Sequence, residues 1–246
     1  MTTKNILVTG VSRGLGLEIA RTLLTANDTN YHIYGISRSM SDGVKKLIED
    51  FPDKMRWLGY DLSDCDNILP AIFKGFIGMD IPLHGYVNNA AIAYDDLITN
   101  LRFKPLQDMY QVNVFAPMLM TKYAIRHFLL HGTMGSIVHI SSISVHTGYK
   151  GLAMYASTKG ALEAFSKNTA REWGERGIRS NALVAGFMET DMSSTLTADQ
   201  RDRIYKRTSL KRPTTTASVA ATIKFLLSDE AASITAQNIH VDSGTI

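Results

Sequence analysis

Ile6-Leu7-Val8 runs directly into Thr9-Gly10-Val11-Ser12-Arg13-Gly14-Leu15-Gly16. Three consecutive apolar residues read as a parallel strand buried on both faces. Apolar residues then recur at helical spacing from Leu15 to Leu24, so a helix follows the turn. Glycines let a backbone approach a phosphate closely, and a helix N-terminus offers N–H groups and the positive end of its dipole. Strand, glycine turn and helix in this order open a dinucleotide-binding unit. The spacing is Gly-x-x-x-Gly-x-Gly rather than Gly-x-Gly-x-x-Gly. Gly10, Ser12, Arg13, Gly14, Leu15 and Gly16 are the first candidate cofactor-binding residues.

Outward from this unit, strands and helices alternate to the end of the chain. Further strands are read at Tyr31 to Ser37, Met55 to Tyr60, Leu83 to Val87, Ser136 to Ile140, Ile178 to Val184 and Asn238 to Val241. Helices are read at Pro105 to His131, Leu152 to Trp173, Ala198 to Lys206 and Thr216 to Leu227. Pro117 should kink or break the first of these. No Pro/Gly/Ser-rich linker, repeat or low-complexity tract interrupts the pattern. The expectation is an α/β fold: a single Rossmann-type, doubly wound parallel sheet of about seven strands with helices on both faces. Residues 1–246 then form one dinucleotide-binding and catalytic domain. The polar stretch 191–213 adjoins the ligand edge and reads as a substrate lid.

The second strand ends in Ser37-Arg38, where the adenosine ribose of a cofactor would lie. An acid there would accept from a ribose 2′-hydroxyl, whereas an arginine accommodates a 2′-phosphate. Residues 36 to 38 hold no acid, and Arg13 and Arg38 are two candidate phosphate partners, so NADP(H) is predicted. The alternative is that both arginines are solvated surface cations. Asp61, closing the third strand, is placed to accept from an adenine amino group or to cap the segment from Ser63. Asn88-Asn89 after the fourth strand can satisfy turn backbone near the cofactor.

Tyr155 and Lys159 are i and i+4 on one helix and share a face. An ammonium beside a phenol favours the phenolate and lowers a pKa of about 10, which makes tyrosine a usable acid–base group. Ser142 follows the fifth strand, at the edge where open α/β sheets bind ligands; a turn serine is the alternative. Asn113 sits mid-helix among Val112, Val114 and Phe115, where asparagine is unfavourable. It either holds open a kink or holds a water.

Composition narrows the classes further. Of 246 residues, 45% are hydrophobic and 20% charged, enough to bury a core and too ordered in pattern for disorder. A net charge of +3 without a long basic run gives no reason to expect nucleic acid. The single cysteine, Cys65, excludes an intramolecular disulfide and supplies no metal-site spacing, so no metal is expected. Without a signal core or a long apolar stretch, a soluble cytoplasmic protein is expected.

The motifs taken together are far more specific than any one alone. They are Thr9-Gly10-x-x-x-Gly14-x-Gly16, Asp61-Leu62, Asn88-Asn89-Ala90, Asn113, Ser142, Tyr155-x-x-x-Lys159, Asn181 and Gly186-Phe187-Met188-Glu189-Thr190-Asp191-Met192. In these the chain resembles the classical short-chain dehydrogenase/reductases over essentially its whole length, and most of all the bacterial 3-oxoacyl-[acyl-carrier-protein] reductases. The resemblance implies reduction of a carbonyl by NADPH. Tyr155 would give the proton, Ser142 would polarise the oxygen, Lys159 would bind the nicotinamide ribose and lower the tyrosine pKa, and Asn113 would hold a water in a relay to Lys159. Ser37, Arg38, Asp61, Leu62, Asn89, Ala90, Tyr155, Lys159, Gly186, Met188 and Thr190 complete the implied cofactor set, with Val184 lining it. A 3-oxoacyl thioester is the implied substrate, borne on an acyl-carrier protein, and the implied assembly is a homotetramer. The chain departs from the family at Ala91, Ala185 and Ser243, each where a glycine or proline is usual. Of two basic docking positions for the acidic carrier, Arg176 matches one and Thr133 stands at the other, with Arg126, His127 and His131 nearby. The same chemistry on a sugar, steroid or other small alcohol or ketone is the second reading. The substrate pocket is read mainly around Ser144 to Leu152 and the 191–213 insert, where Ile143, Val145, His146, Tyr149 and Met154 suit an acyl chain but select poorly, with His146 a pocket-wall or surface residue. A non-catalytic protein sensing NADP is a third.

Overall fold

The computed structural model describes residues 3–190 and 197–245. Seven parallel strands form one sheet in the order β3-β2-β1-β4-β5-β6-β7. They are β1 (Thr3–Thr9), β2 (Asn30–Ser37), β3 (Met55–Gly59), β4 (Gly85–Asn88), β5 (Ser136–Ser142), β6 (Arg179–Ala185) and β7 (Asn238–Val241). Register on β1 pairs Ile6 with Ile33 on one side and with Gly85 on the other. From β1 the chain winds outward through β2 and β3, then returns to β4 on the opposite side. The C-terminal ends of β1 and β4 are therefore the switch point where such sheets hold ligands.

Alternation along β1 builds both halves of the core. Ile6 and Val8 join a cluster with Leu15, Ile19 and Leu23 of α1 (Gly14–Leu24) and Val219, Ile223 and Leu227 of α8 (Thr216–Leu227). Leu7, between them, joins Phe73, Met120, Phe128 and Ile137 on the other face. Each fully buried side chain of this size contributes about 1.5–3 kcal/mol. That second face carries a π-helical segment (Ile68–Ile77), α4 (Ala116–His131) and α6 (Ala153–Trp173). No helix among the described residues is long and apolar enough to cross a membrane.

Several elements differ from the sequence reading. The fourth strand begins at Gly85 rather than Leu83, and the fifth runs on to Ser142. A helix not anticipated, α2 (Asp42–Asp50), is capped by Ser41, whose Oγ accepts from Val44 N and donates to Ser12 O at 2.5 Å. The long helix expected from Pro105 is α3 (Phe103–Tyr110), a π-wound turn (Gln111–Phe115) and α4 in succession. Pro117 has no N–H to give the Asn113 carbonyl, and the winding widens in the turn before it, with Ala116 N bonding Gln111 O. Past the sheet's ligand edge lies α7 (Ala198–Arg207), closed at its start by a Thr197/Gln200 capping box. The first six residues of the 191–213 insert, including Asp191 and Met192, lie outside the described residues.

Candidate active site

A cleft of about 940 Å³ opens at the switch point. Gly10, Ser12, Arg13, Gly14, Leu15, Gly16, Ser37, Arg38, Asp61, Leu62, Asn89, Ala90, Gly186, Met188 and Thr190 all line it, together with Ser142, Tyr155 and Lys159. Asn113 and Val184 lie outside its lining, as do Val145 and Met154, which were expected around the substrate.

The glycine turn is held from β4. Asn89 Nδ2 donates to Thr9 O at 2.9 Å and to Gly10 O at 3.3 Å, while Thr9 Oγ1 accepts from the backbone N–H of Asn89 and Ala90. A Cβ on Gly16 would lie 2.0 Å from Gly10 O, so only glycine lets α1 approach the turn this closely. Gly10 has a φ of +76°. The N-cap residue Arg13 makes no side-chain capping bond, and the first turn of α1 lines the cleft. This cradle fits a dinucleotide pyrophosphate. At the ribose end, Ser37 is committed elsewhere: its Oγ donates to Ser39 O and accepts from Trp57 Nε1 at 2.8 Å. Asp61 Oδ1 accepts from Ser63 N, which together with Arg38 nearby holds its carboxyl below the usual range. The capping alternative for Asp61 is thus realised at the turn, while the residue still faces the cleft.

The other half of the cleft carries Ser142, Tyr155 and Lys159. Lys159 is buried, and its Nζ donates to Ile140 O at 2.8 Å and stands 5.7 Å from the centre of the Tyr155 ring. Desolvation pulls the ammonium down from 10.5 to about 8. The expected depression of the Tyr155 phenol is not what this geometry produces. Close packing pushes it above its ordinary value, and the nearby Asp95 carboxylate adds to the shift. Burial disfavours both charged forms, so phenol and ammonium move towards each other rather than in parallel.

Ser142 Oγ accepts from the N–H of Ser144 at 3.2 Å and from its hydroxyl at 3.0 Å. With its lone pairs so engaged, the Ser142 proton is the group left to donate into the cleft. Asn113 joins two segments beside the cleft. Its Oδ1 accepts from Ile92 N, and its Nδ2 donates to Ile92 O and to Thr158 Oγ1. Thr158 in turn donates to Tyr155 O at 2.8 Å. These bonds pin the loop after β4 to the helix that carries Tyr155 and Lys159.

Sequence reasoning missed Ser144 as the partner of Ser142, and Ile92 and Asp95 in the lining. The Ser142-x-Ser144 spacing was the one local signal. His146, read as a wall or surface residue, contacts Glu163 and not the cleft. Among the described residues no group of three or more His, Cys, Asp or Glu is placed to hold a metal.

A family model described as enoyl-(acyl carrier protein) reductase matches residues 10–245. The 3-oxoacyl-[acyl-carrier-protein] reductase FabG of Salmonella typhimurium is 33% identical over 244 residues, covering 98% of this chain and 96% of that one. The chain belongs to the short-chain dehydrogenase/reductase family. The FabG of Chlamydia pneumoniae, another relative, is 31% identical over 241 residues, with the same coverage. Among solved structures, a gluconate 5-dehydrogenase candidate from Beutenbergia cavernae with bound NADP at low occupancy superposes with a TM-score of 0.90. It is 26% identical, and the match covers 98% of this chain and 96% of that one. An ElxO variant with bound NADPH gives a TM-score of 0.88 at 27% identity, covering 99% of each chain. The fold is thus that of a family of oxidoreductases, several of whose members have been crystallised with NADP or NADPH.

Proposed function

We propose that the chain reduces a carbonyl to an alcohol with NADPH, and that its substrate is a 3-oxoacyl thioester. The observation that carries this reading is the single cleft in which the glycine cradle, Arg13 and Arg38 face Ser142, Tyr155 and Lys159. Gly10 to Gly16 and the α1 N-terminus hold the pyrophosphate, and Arg13 and Arg38 the 2′-phosphate. When bound, the reduced nicotinamide supplies a hydride to the carbonyl carbon. Tyr155 gives its phenolic proton to the carbonyl oxygen, and Ser142 donates a hydrogen bond to it as negative charge develops. Lys159, still charged below about pH 8, favours the phenolate left behind. Asn113 and Thr158 keep the helix turn that carries Tyr155 in place.

Ile92, Ile143, Tyr149, Leu152, Phe187 and Ile204 give the open end of the cleft an apolar lining suited to an acyl chain. An acyl-carrier protein would meet exposed Arg176 and Arg126. His127 is withdrawn from that surface, its ring nitrogen bonding Gly78 O. A homotetramer in the cytoplasm belongs to the same reading. The second reading, a sugar-acid dehydrogenase, is favoured by the gluconate-dehydrogenase neighbours. Parallel rates with acetoacetyl-coenzyme A and 5-ketogluconate test the choice. Faster reduction of the thioester supports the first reading, and turnover of the keto acid alone overturns it.

Two expectations concern charge. Arg38→Ala is expected to cut the preference for NADPH over NADH by about 10- to 100-fold, the size of a lost charge-assisted bond. Paired kcat/KM values for the two cofactors check it. The second follows from Lys159. Its ammonium is present below about pH 8, so kcat/KM for reduction should fall as the pH rises through that value. Stability moves the other way. The folded value lies below the 10.5 of the free side chain, so between the two the unfolded chain binds more protons. The penalty of burying this ammonium is full below about pH 8 and is relieved as the pH rises towards 10.5. A pH–rate profile beside denaturant titrations at each pH checks both signs.

A further inference from the structure

Glu163 is a buried carboxylate on the catalytic helix, one turn beyond Lys159, and the proposed chemistry gives it nothing to do. Its Oε1 accepts from Ser141 Oγ at 2.5 Å and lies 3.0 Å from His146 Nε2. Its Oε2 accepts from Asn238 Nδ2 at 2.5 Å. Ser141 immediately precedes Ser142. His146 lies in α5 (Ser144–Thr147), the single turn that follows it. One carboxylate therefore grips both flanks of Ser142 and ties them to α6 and to the edge strand β7.

A buried carboxylate is costly unless its oxygens are satisfied, and here three donors converge on two oxygens. Between the two gripped points the segment has its own bonds. Ile143 N donates to Ala185 O at 2.9 Å, and Ser144 donates twice to Ser142 Oγ. The aim of the Ser142 proton depends on this segment's backbone. The segment is fixed to the helix carrying Tyr155 and Lys159 through Glu163.

We infer that Glu163 is a positioning residue that sets Ser142 in register with Tyr155. The inference rests on the reading that Ser142 acts on the carbonyl oxygen. A double-mutant cycle separates the two. The variants are Ser142→Ala, Glu163→Leu and the pair, read by kcat for NADPH-dependent reduction, NADPH affinity and thermal midpoint. Glu163→Leu should lower kcat by roughly 10- to 100-fold, the scale of a misplaced catalytic group, with NADPH affinity within about twofold. On the Ser142→Ala background the same change should cost less than about threefold, because residues acting through one another are not additive.

Glu163→Gln is the conservative control. Its carbonyl oxygen can keep Ser141 and His146. Its amide can donate to Asn238 Oδ1, which is buried without a partner among the described residues, once the Asn238 amide rotates. This variant should stay within about threefold of the parent kcat. An equal loss from Glu163→Leu on both backgrounds would overturn the inference, as would a fall in thermal midpoint with kcat unchanged. If Ser142→Ala alone leaves kcat intact, the reading of the site fails instead, and the inference with it. Should Glu163→Leu not fold, Ser141→Ala with His146→Ala removes the two flanking bonds and enters the same cycle with the same expected results.

Discussion

Tyr155→Phe is expected to lower kcat for NADPH-dependent carbonyl reduction by about 10²- to 10⁴-fold while NADPH affinity stays within about twofold. The substitution removes one oxygen and keeps the ring that packs beside Lys159. Cofactor contacts of the glycine cradle and the arginines are untouched. On the proposed mechanism, what disappears is the proton given to the carbonyl oxygen. Ser142 would still donate a hydrogen bond, but a serine hydroxyl cannot give up its proton at neutral pH. The raised pKa of Tyr155 strengthens this expectation for the direction of reduction, because the phenol stays protonated throughout the working range. Stopped-flow decay at 340 nm gives kcat, and quenching of protein fluorescence gives affinity. A loss of both in equal measure would move Tyr155 from chemistry to binding.

Gly16→Ala should be the most damaging single methyl group in the chain. Its Cβ would lie 2.0 Å from Gly10 O and 2.6 Å from Asn89 Nδ2. The nearer of these is backbone, so relief requires α1 to move away from the turn. Overpacking of this kind costs about 1–3 kcal/mol, and a chain of this length loses about 2–4 °C in thermal midpoint per kcal/mol. NADPH affinity should fall at least about tenfold, since the cradle is the proposed pyrophosphate site. Gly160→Ala in α6 is the contrast. There a Cβ meets only Val145 Cγ1 at 3.5 Å, and replacing a helical glycine stabilises by about 0.5–1 kcal/mol. Thermal melts of both variants with and without NADPH measure the difference.

The frame was legible because its signals are local. Apolar Ile6-Leu7-Val8 beside a glycine turn needs no distant residue to be read, nor does Tyr155 four positions before Lys159. Helix α2 escaped because only Val44 and Leu47 of its nine residues are buried, too few to mark a period. Pro117 announced a break, but where the winding would yield depended on Gln111–Phe115 packing against α6. The sign of the Tyr155 shift depends on how much protein closes round the phenol, which no spacing reveals. Ser37 shows the same limit: Trp57, twenty positions on, claims its hydroxyl. Glu163 on a helix surface pattern looks solvated until β7 folds over it and brings Asn238 to its carboxylate.

The central claim is that this cleft performs hydride and proton transfer rather than merely holding a dinucleotide. The most direct test is a single turnover of enzyme saturated with NADPH and mixed with acetoacetyl-coenzyme A, followed at 340 nm. The account predicts loss of the absorbance with an amplitude equal to the bound NADPH, and no such decay in Tyr155→Phe on the same timescale. Bound NADPH whose absorbance stays unchanged with the thioester and with a panel of ketones and keto sugars would contradict it, and would make the protein a sensor of the cofactor.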